Sequence, residues 1–280
     1  MDLTKGIDAL ATRVNVHAFL DSIDYRVART PEELEKAYAL VYQEYLKRNY
    51  TDTNESKLRL SLYNALPQST TFIAATNGDV LATATLITDS ALGLPMDKLY
   101  SQELKKFRDD NKKICEISML ASNTEMFKSG IGMMSNAKKL FFVFFLFKVI
   151  FDYAWHVLDL DYMCITINPK HYLTYEFLLF KDFGGLKTYD GVRGAPAIGK
   201  FLDIKGAEEE CKQLHREGLY KMFFSNTTPS EKFDKKITLN QNDLKYFFVQ
   251  KSQTFKNASQ QELKEIKSHY PSYDFSKIIC

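Results

Sequence analysis

The chain has 280 residues, 45% of them hydrophobic, which is enough for one large core with an appendage or for two small domains. Its 37 basic and 35 acidic residues leave a formal charge of +2, so no basic footprint for nucleic acid is present. Cys115, Cys164, Cys211 and Cys280 form no CxxC pair, which argues against a zinc site or a disulfide scaffold and for a reducing, cytoplasmic setting.

Residues 1–20 carry Asp2, Lys5, Asp8 and Arg13 and lack the apolar core of a signal peptide. The first ordered element is an extended stretch at Tyr25. Thr30-Pro31-Glu32-Glu33 then reads as an N-cap, a proline at the first helical position and acids in the first turn of a helix reaching about Lys47. Residues 49–68 form a polar connection. Two strand-like runs joined through Asn77-Gly78-Asp79 predict a hairpin. A charged, partly helical segment covers 96–112.

Residues 113–121 predict another strand. Simple alternation places Ile114, Glu116, Ser118 and Leu120 on one face and Cys115, Ile117, Met119 and Ala121 on the other. A glycine-rich turn at Ser129 to Gly132 leads into a long apolar helix over about 133–156. Its most apolar part, 140–151, is too short to span a bilayer and is interrupted by Lys148, so it reads as a buried helix and not as an integral membrane segment. A strand over 161–168 is stopped by Pro169. A short helix over 172–179 is expected to end at Gly184-Gly185, and 197–204 is the last clear strand. Strands alternating with helices imply an α/β fold with a mixed sheet covered by helices. Beyond Lys205 the strand alternation stops, which divides the chain into a domain over 1–205 and a helical C-terminal appendage over 206–280 packed on it.

Two passages carry a family resemblance. One is the strand Ile114-Cys115-Glu116-Ile117-Ser118-Met119-Leu120-Ala121. The other is Asn168-Pro169-Lys170-His171, continuing through Tyr175, Phe183-Gly184, Tyr189 and Gly191-Val192-Arg193-Gly194-Ala195-Pro196-Ala197. Together they resemble the long-chain N-acyl amino acid synthases, relatives of the N-acyl homoserine lactone synthases in the GNAT superfamily. The resemblance implies a GNAT-like (acyl-CoA N-acyltransferase) mixed, splayed sheet. It also implies attack of an amine on an acyl thioester. Met119 and Val41 stand where that family often has arginine.

Such chemistry needs a base for the amine, an oxyanion stabiliser and a slot for the acyl–pantetheine arm. Glu116, an acid in an apolar strand, is the candidate base, because burial raises a carboxyl pKa; the alternative is an acid paired with a nearby Lys or Arg. The backbone of Met119, Leu120 and Ala121 is placed against the pantetheine arm and thioester, as an added strand would be. Ser118 is a candidate substrate contact or a satisfied sheet hydroxyl. His171 either orients substrate or holds the Asn168-Pro169 turn, and Tyr175 belongs to the same passage. Arg193 is a candidate for the acceptor carboxylate or a plain surface arginine.

Gly130, Ile131 and Gly132 are expected to hold the phosphopantetheine phosphate at a helix start. Phe127 stands where coenzyme A-dependent relatives usually have Gln or Arg, which favours an acyl carrier protein as donor and partner. Lys128, Lys138 and Lys139 are candidate contacts for that acidic protein. The phenylalanines of the long helix either line an acyl tunnel or form plain core. No permanently bound cofactor and no metal are expected; acyl-phosphopantetheine, on a carrier protein or on coenzyme A, is the co-substrate and an amino acid is the acceptor. Two alternatives stay open: an acyl-CoA or autoinducer-type enzyme acting on another amine, and a non-catalytic acyl-chain binder.

Overall fold

A computed structural model describes residues 22–123 and 136–279, with side chains in the second span from residue 142 onward. Phe127, Lys128, Gly130, Ile131 and Gly132, and the side chains of Lys138 and Lys139, lie outside the described residues.

The elements follow the order β1 (Asp24–Val27), α1 (Pro31–Lys47), β2 (Thr70–Thr76), β3 (Asp79–Thr88), α2 (Asp97–Asp109), β4 (Ile114–Ser122), α3 (Asn136–Asp152), β5 (Tyr162–Ile167), α4 (Tyr172–Phe177), β6 (Lys181–Tyr189) and β7 (Ala195–Asp203). They form one sheet in the order β1-β2-β3-β4-β5-β7-β6. Every pairing is antiparallel except β4 with β5.

Local chemistry explains the first elements. Thr30 caps α1 by accepting the Glu33 N–H at 3.2 Å, with Pro31 in the first turn. Asn77 and Gly78 both have positive φ, at 50° and 80°, as the tight β2–β3 turn requires. The sheet buries one face under α3 through Phe72, Leu86, Ile117 and Met163, against Phe142, Phe144 and Leu146. The other face is covered by α1, α2 and the end of the chain. Among the described residues no helix is long and apolar enough to cross a membrane. The charge within the apolar helix is answered internally: buried Lys148 donates to Asp152 at 2.5 Å.

The segment after β7 covers both faces. Its first helices, α5 (Ala207–Gln213) and α6 (Glu217–Phe223), join the α3-side core through Ala207, Cys211, Leu219 and Phe223. The chain then passes the edge strand β1, where Lys232 pairs with Asp24 at 2.7 Å and the Ile237 N–H donates to the Ala28 carbonyl at 3.1 Å. Leu244, Phe247, Phe248, Phe255 and Ile266 finally pack against Ala37 and Tyr38 of α1 and Ile73 of β2 on the opposite face. The passage covers the otherwise open edge of β1.

Two expectations are corrected. Gly184 and Gly185 do not end a helix; they lie inside β6, an edge strand with no apolar alternation. A glycine is required at 184 because a Cβ there would stand 2.4 Å from the Tyr100 ring. Strict alternation along β4 also fails. Its register against β3 shifts between Thr83 and Thr85, opposite a residue, Met119, with φ of 54°. This β-bulge turns Leu120 toward the α3-side core and Met119 and Ala121 toward Leu40 and Val41 of α1.

Candidate active site

The site is built on β4. Along its first half the strand is paired on both sides. Cys115 to Ser118 lie against β3, and Ile114 to Ile117 lie against Tyr162 to Ile165 of β5. Beyond Ile117 the β5 ladder ends. Thr166 and Ile167 of β5 go on pairing with β7 alone, while β4 stays on β3 as far as Ser122. The sheet therefore splays at Ser118, and among the described residues one backbone edge of 118–122 has no strand beside it. The bulge falls within this stretch. A left-handed conformation at a bulky residue costs about 1–2 kcal/mol and persists only where its surroundings hold it.

Glu116 lies just before the splay, 3% exposed. One carboxylate oxygen accepts the Met96 N–H at 2.7 Å, and among the described residues no lysine or arginine pairs with it. Burial pushes its pKa up to about 8; the charge of Asp97 adds to the rise and the Met96 hydrogen bond opposes it. The group can thus hold or release a proton near neutral pH. Ser118, the next residue on that face, is half-buried and lies opposite Thr85.

Three tyrosines from separate elements lie within electrostatic reach of Glu116: Tyr45 on α1, Tyr63 in the short turn Leu62–Ala65, and Tyr189 at the end of β6. Burial raises the pKa of each, and the Glu116 charge raises it further; for Tyr189 the result is about 12. All three phenols therefore stay protonated at neutral pH. Arg59 stacks over the Tyr45 ring at 4.8 Å. It donates through Nη1 to Thr51 Oγ1 at 3.0 Å and through Nη2 to the Gly191 carbonyl at 2.7 Å.

The remaining expected residues lie around this centre. Tyr175 is buried edge-on to Phe147 and Phe180, and burial, then the neighbouring Tyr45, drives its pKa upward. His171 is exposed in the turn after β5. Its pKa is lowered, first by partial desolvation and then by Lys170 and Arg48. The turn itself is held by Asn168, whose side chain accepts the Lys170 N–H at 3.2 Å and donates to the Tyr50 hydroxyl at 3.2 Å. Arg193, left-handed at φ 56°, donates to Asn49 Oδ1 at 2.5 Å and pairs with Asp52 at 3.5 Å. It ties the β6–β7 turn to the loop after α1 and does not contact Glu116. Sequence reading passed over Arg59 and Tyr63, because both sit in the polar connection 49–68, which carries no periodicity. On the α3 side an apolar pocket is lined by Phe147, Phe151, Met163, Leu178, Leu179 and Phe223, among others. No group of three or more His, Cys, Asp or Glu able to hold a metal ion occurs among the described residues.

Comparison with known proteins places this geometry. The structure of FeeM, an N-acyl amino acid synthase from uncultured soil microbes, is similar with a TM-score of 0.59 and 31% identity, covering 69% of this chain and 98% of FeeM. The acyl-homoserine lactone (AHL) synthase LasI shares the fold at a TM-score of 0.52 and 11% identity, over 74% of this chain and 96% of LasI. A search of curated protein sequences found no match. The profile of the N-acyl amino acid synthase FeeM family matches residues 36–203, from within α1 to the end of β7. The chain belongs to the N-acyl amino acid synthase FeeM family and is an N-acyltransferase with a GNAT-like fold.

Proposed function

We propose that the protein transfers a long-chain acyl group from an acyl carrier protein thioester to the amino group of an amino acid. The observation that carries this reading is the splay of β4 at Ser118, with a strand edge open on one side of the bulge and a buried, uncompensated carboxyl on the other.

A pantetheine arm is a chain of amides and thus a partner for an open strand edge. Laid along Met119 to Ala121, it brings its thioester beside Glu116. The amine nitrogen then attacks the thioester carbon, a C–N bond forms, the C–S bond breaks and the thiol leaves. The proton lost by the amine passes to the ionised Glu116 carboxylate, directly or through water, and from there to the departing sulfur; the Glu116 pKa of about 8 suits that exchange. A backbone N–H of the bulge would meet the developing oxyanion. Phe127, in place of the usual polar residue before the glycine turn, supports the carrier protein over coenzyme A. Gly130, Ile131 and Gly132 are assigned to its phosphate, and His171, Tyr175 and Ser118 to the substrate side of the cleft. Residues 1–205 would form the transferase and 206–280 its appendage, working in the cytoplasm.

The test offers purified protein acyl carrier protein and coenzyme A thioesters of several chain lengths, with pooled amino acids. Thiol release and product masses are measured. The expected result is thiol release with carrier-bound long chains and masses of N-acyl amino acids. Turnover confined to coenzyme A thioesters would remove the carrier-protein assignment, and binding without thiol release would point to a sensor.

A further inference from the structure

The Met96 N–H that holds Glu116 belongs to a turn fastened by ion pairs. Met96 is fully buried just before α2, and its N–H reaches Glu116 Oε2 at 2.7 Å. The next residue, Asp97, closes the turn by accepting the Leu94 N–H through Oδ2 at 2.7 Å. A Cβ on Gly93, whose φ is 68°, would stand 2.6 Å from that same oxygen, so only glycine fits there. Arg108 locks the arrangement from the other end of α2. Its Nη1 and Nη2 donate to Asp97 at 2.7 and 2.6 Å, and its Nε and Nη2 donate to Asp89 at 2.7 Å each. The Asp89 N–H in turn donates to the Ile114 carbonyl at 3.1 Å, two residues before Glu116 on β4.

On a straight helix, residues 97 and 108 would stand about 16 Å apart along the axis, too far to pair. The backbone of Tyr100 leaves the helical region, with φ −123° and ψ 32°, and this break in α2 brings Asp97 within reach of Arg108. The pairs are partly exposed, the Arg108 side chain by 31%, so they add little to stability. What matters is the group they adjoin. The titratable neighbours of Glu116 are Asp97, the phenols of Tyr45, Tyr63 and Tyr189, and the thiols of Cys115 and Cys164. Burial keeps the phenols and thiols protonated. Desolvation works against ionising Asp97, and the Arg108 hydrogen bonds outweigh it, holding its carboxyl below the usual range. Asp97 is thus the charged member of this set, and Arg108 is the cation that offsets it.

We propose that Arg108 is a positioning residue for the acyl transfer, clamping Asp97 and Asp89 so that the Met96 N–H stays on Glu116 and the Asp97 charge beside it is cancelled. This role rests on Glu116 as the base put forward above. Without the clamp, both changes favour the protonated carboxyl: a hydrogen bond to the carboxylate is loosened and a like charge is unmasked.

Two readouts test it. One is the titration midpoint of Glu116 in the full-length protein, followed by infrared difference spectroscopy on the protonated-carboxyl band that Glu116→Gln removes. The other is the pH profile of thiol release from hexadecanoyl acyl carrier protein with pooled amino acids. The wild-type midpoint is expected at about 8. Arg108→Gln raises it by about one pH unit, so kcat/KM at pH 7 falls about tenfold and recovers as pH rises. Asp97→Asn keeps an acceptor for the Leu94 N–H, removes the charge and lowers the midpoint. An Arg108→Gln enzyme slowed equally at every pH, with its midpoint unmoved, would show a purely structural clamp and overturn the proposal. Should that variant fail to fold by circular dichroism, an Asp97→Asn midpoint at or above the wild-type value overturns it. Midpoints that move as expected while the pH profile does not follow would remove Glu116 as the base, and the catalytic role of Arg108 with it.

Discussion

The two halves of β4 share a strand and differ in almost everything else. Ile114 to Ile117 are held by neighbours on both sides and are buried; Ser118 to Ser122 have, among the described residues, only β3 as a strand neighbour and contain the left-handed Met119. The first half is built for rigidity and can keep a carboxyl out of water. The second has backbone groups to offer. In the reaction proposed above the centre would lie at this boundary, with the base in the dry half and the donor along the open one.

Breaking the boundary at its acid gives the largest effect. Glu116→Gln is expected to lower kcat by about 10²–10⁴-fold with donor binding retained, measured by thiol release and by titration with a thioester analogue. The same variant tests burial. The folded pKa of about 8 lies above the ordinary value of 4.5, so the native state holds the proton more tightly than the unfolded one. That contribution is fully present below about pH 4.5 and is lost as pH rises through 8. Wild type should therefore lose a few kcal/mol of stability across that range relative to its value at low pH. Glu116→Gln should show a flatter profile in denaturant titrations at successive pH values. Parallel profiles would mean that the group is not desolvated.

Ile117→Ala sharpens the contrast from the core side. It removes a side chain 2% exposed from the α3-side core and should cost about 2–5 kcal/mol by chemical denaturation, while kcat per folded molecule changes little. Met119→Ile has the opposite character and the smallest effect on stability. A β-branched residue tolerates positive φ poorly, so about 1–2 kcal/mol is expected, with a raised KM for the acyl donor as the more telling change. Equal loss of stability and equal kinetics in the two variants would dissolve the distinction between the halves.

Much of this was legible in the residues. The Thr30-Pro31 helix start, the Asn77-Gly78 turn and the acid inside an apolar strand are local signals, since cap, turn and period depend on a few neighbours. Strand β6 was not legible. It lies at the sheet edge, half solvated, and its glycine is demanded by Tyr100, a residue 84 positions earlier in the chain. The bulge was missed for a related reason. Nothing in Ser118-Met119-Leu120 departs from alternation, and only the register against β3 shows two residues opposite one.

By itself, then, the sequence determined the order of most elements, the mixed sheet, the family and the candidate base, because periodicity and short motifs encode them. Tertiary structure alone decided where β4 leaves β5 and which way Met119 and Leu120 point. It also decided that three distant tyrosines gather about Glu116, with Arg59 stacked on one of them, and that the tail binds both faces of the sheet. Those features depend on contacts between segments far apart in the chain, where packing and desolvation, and not local propensity, set the outcome.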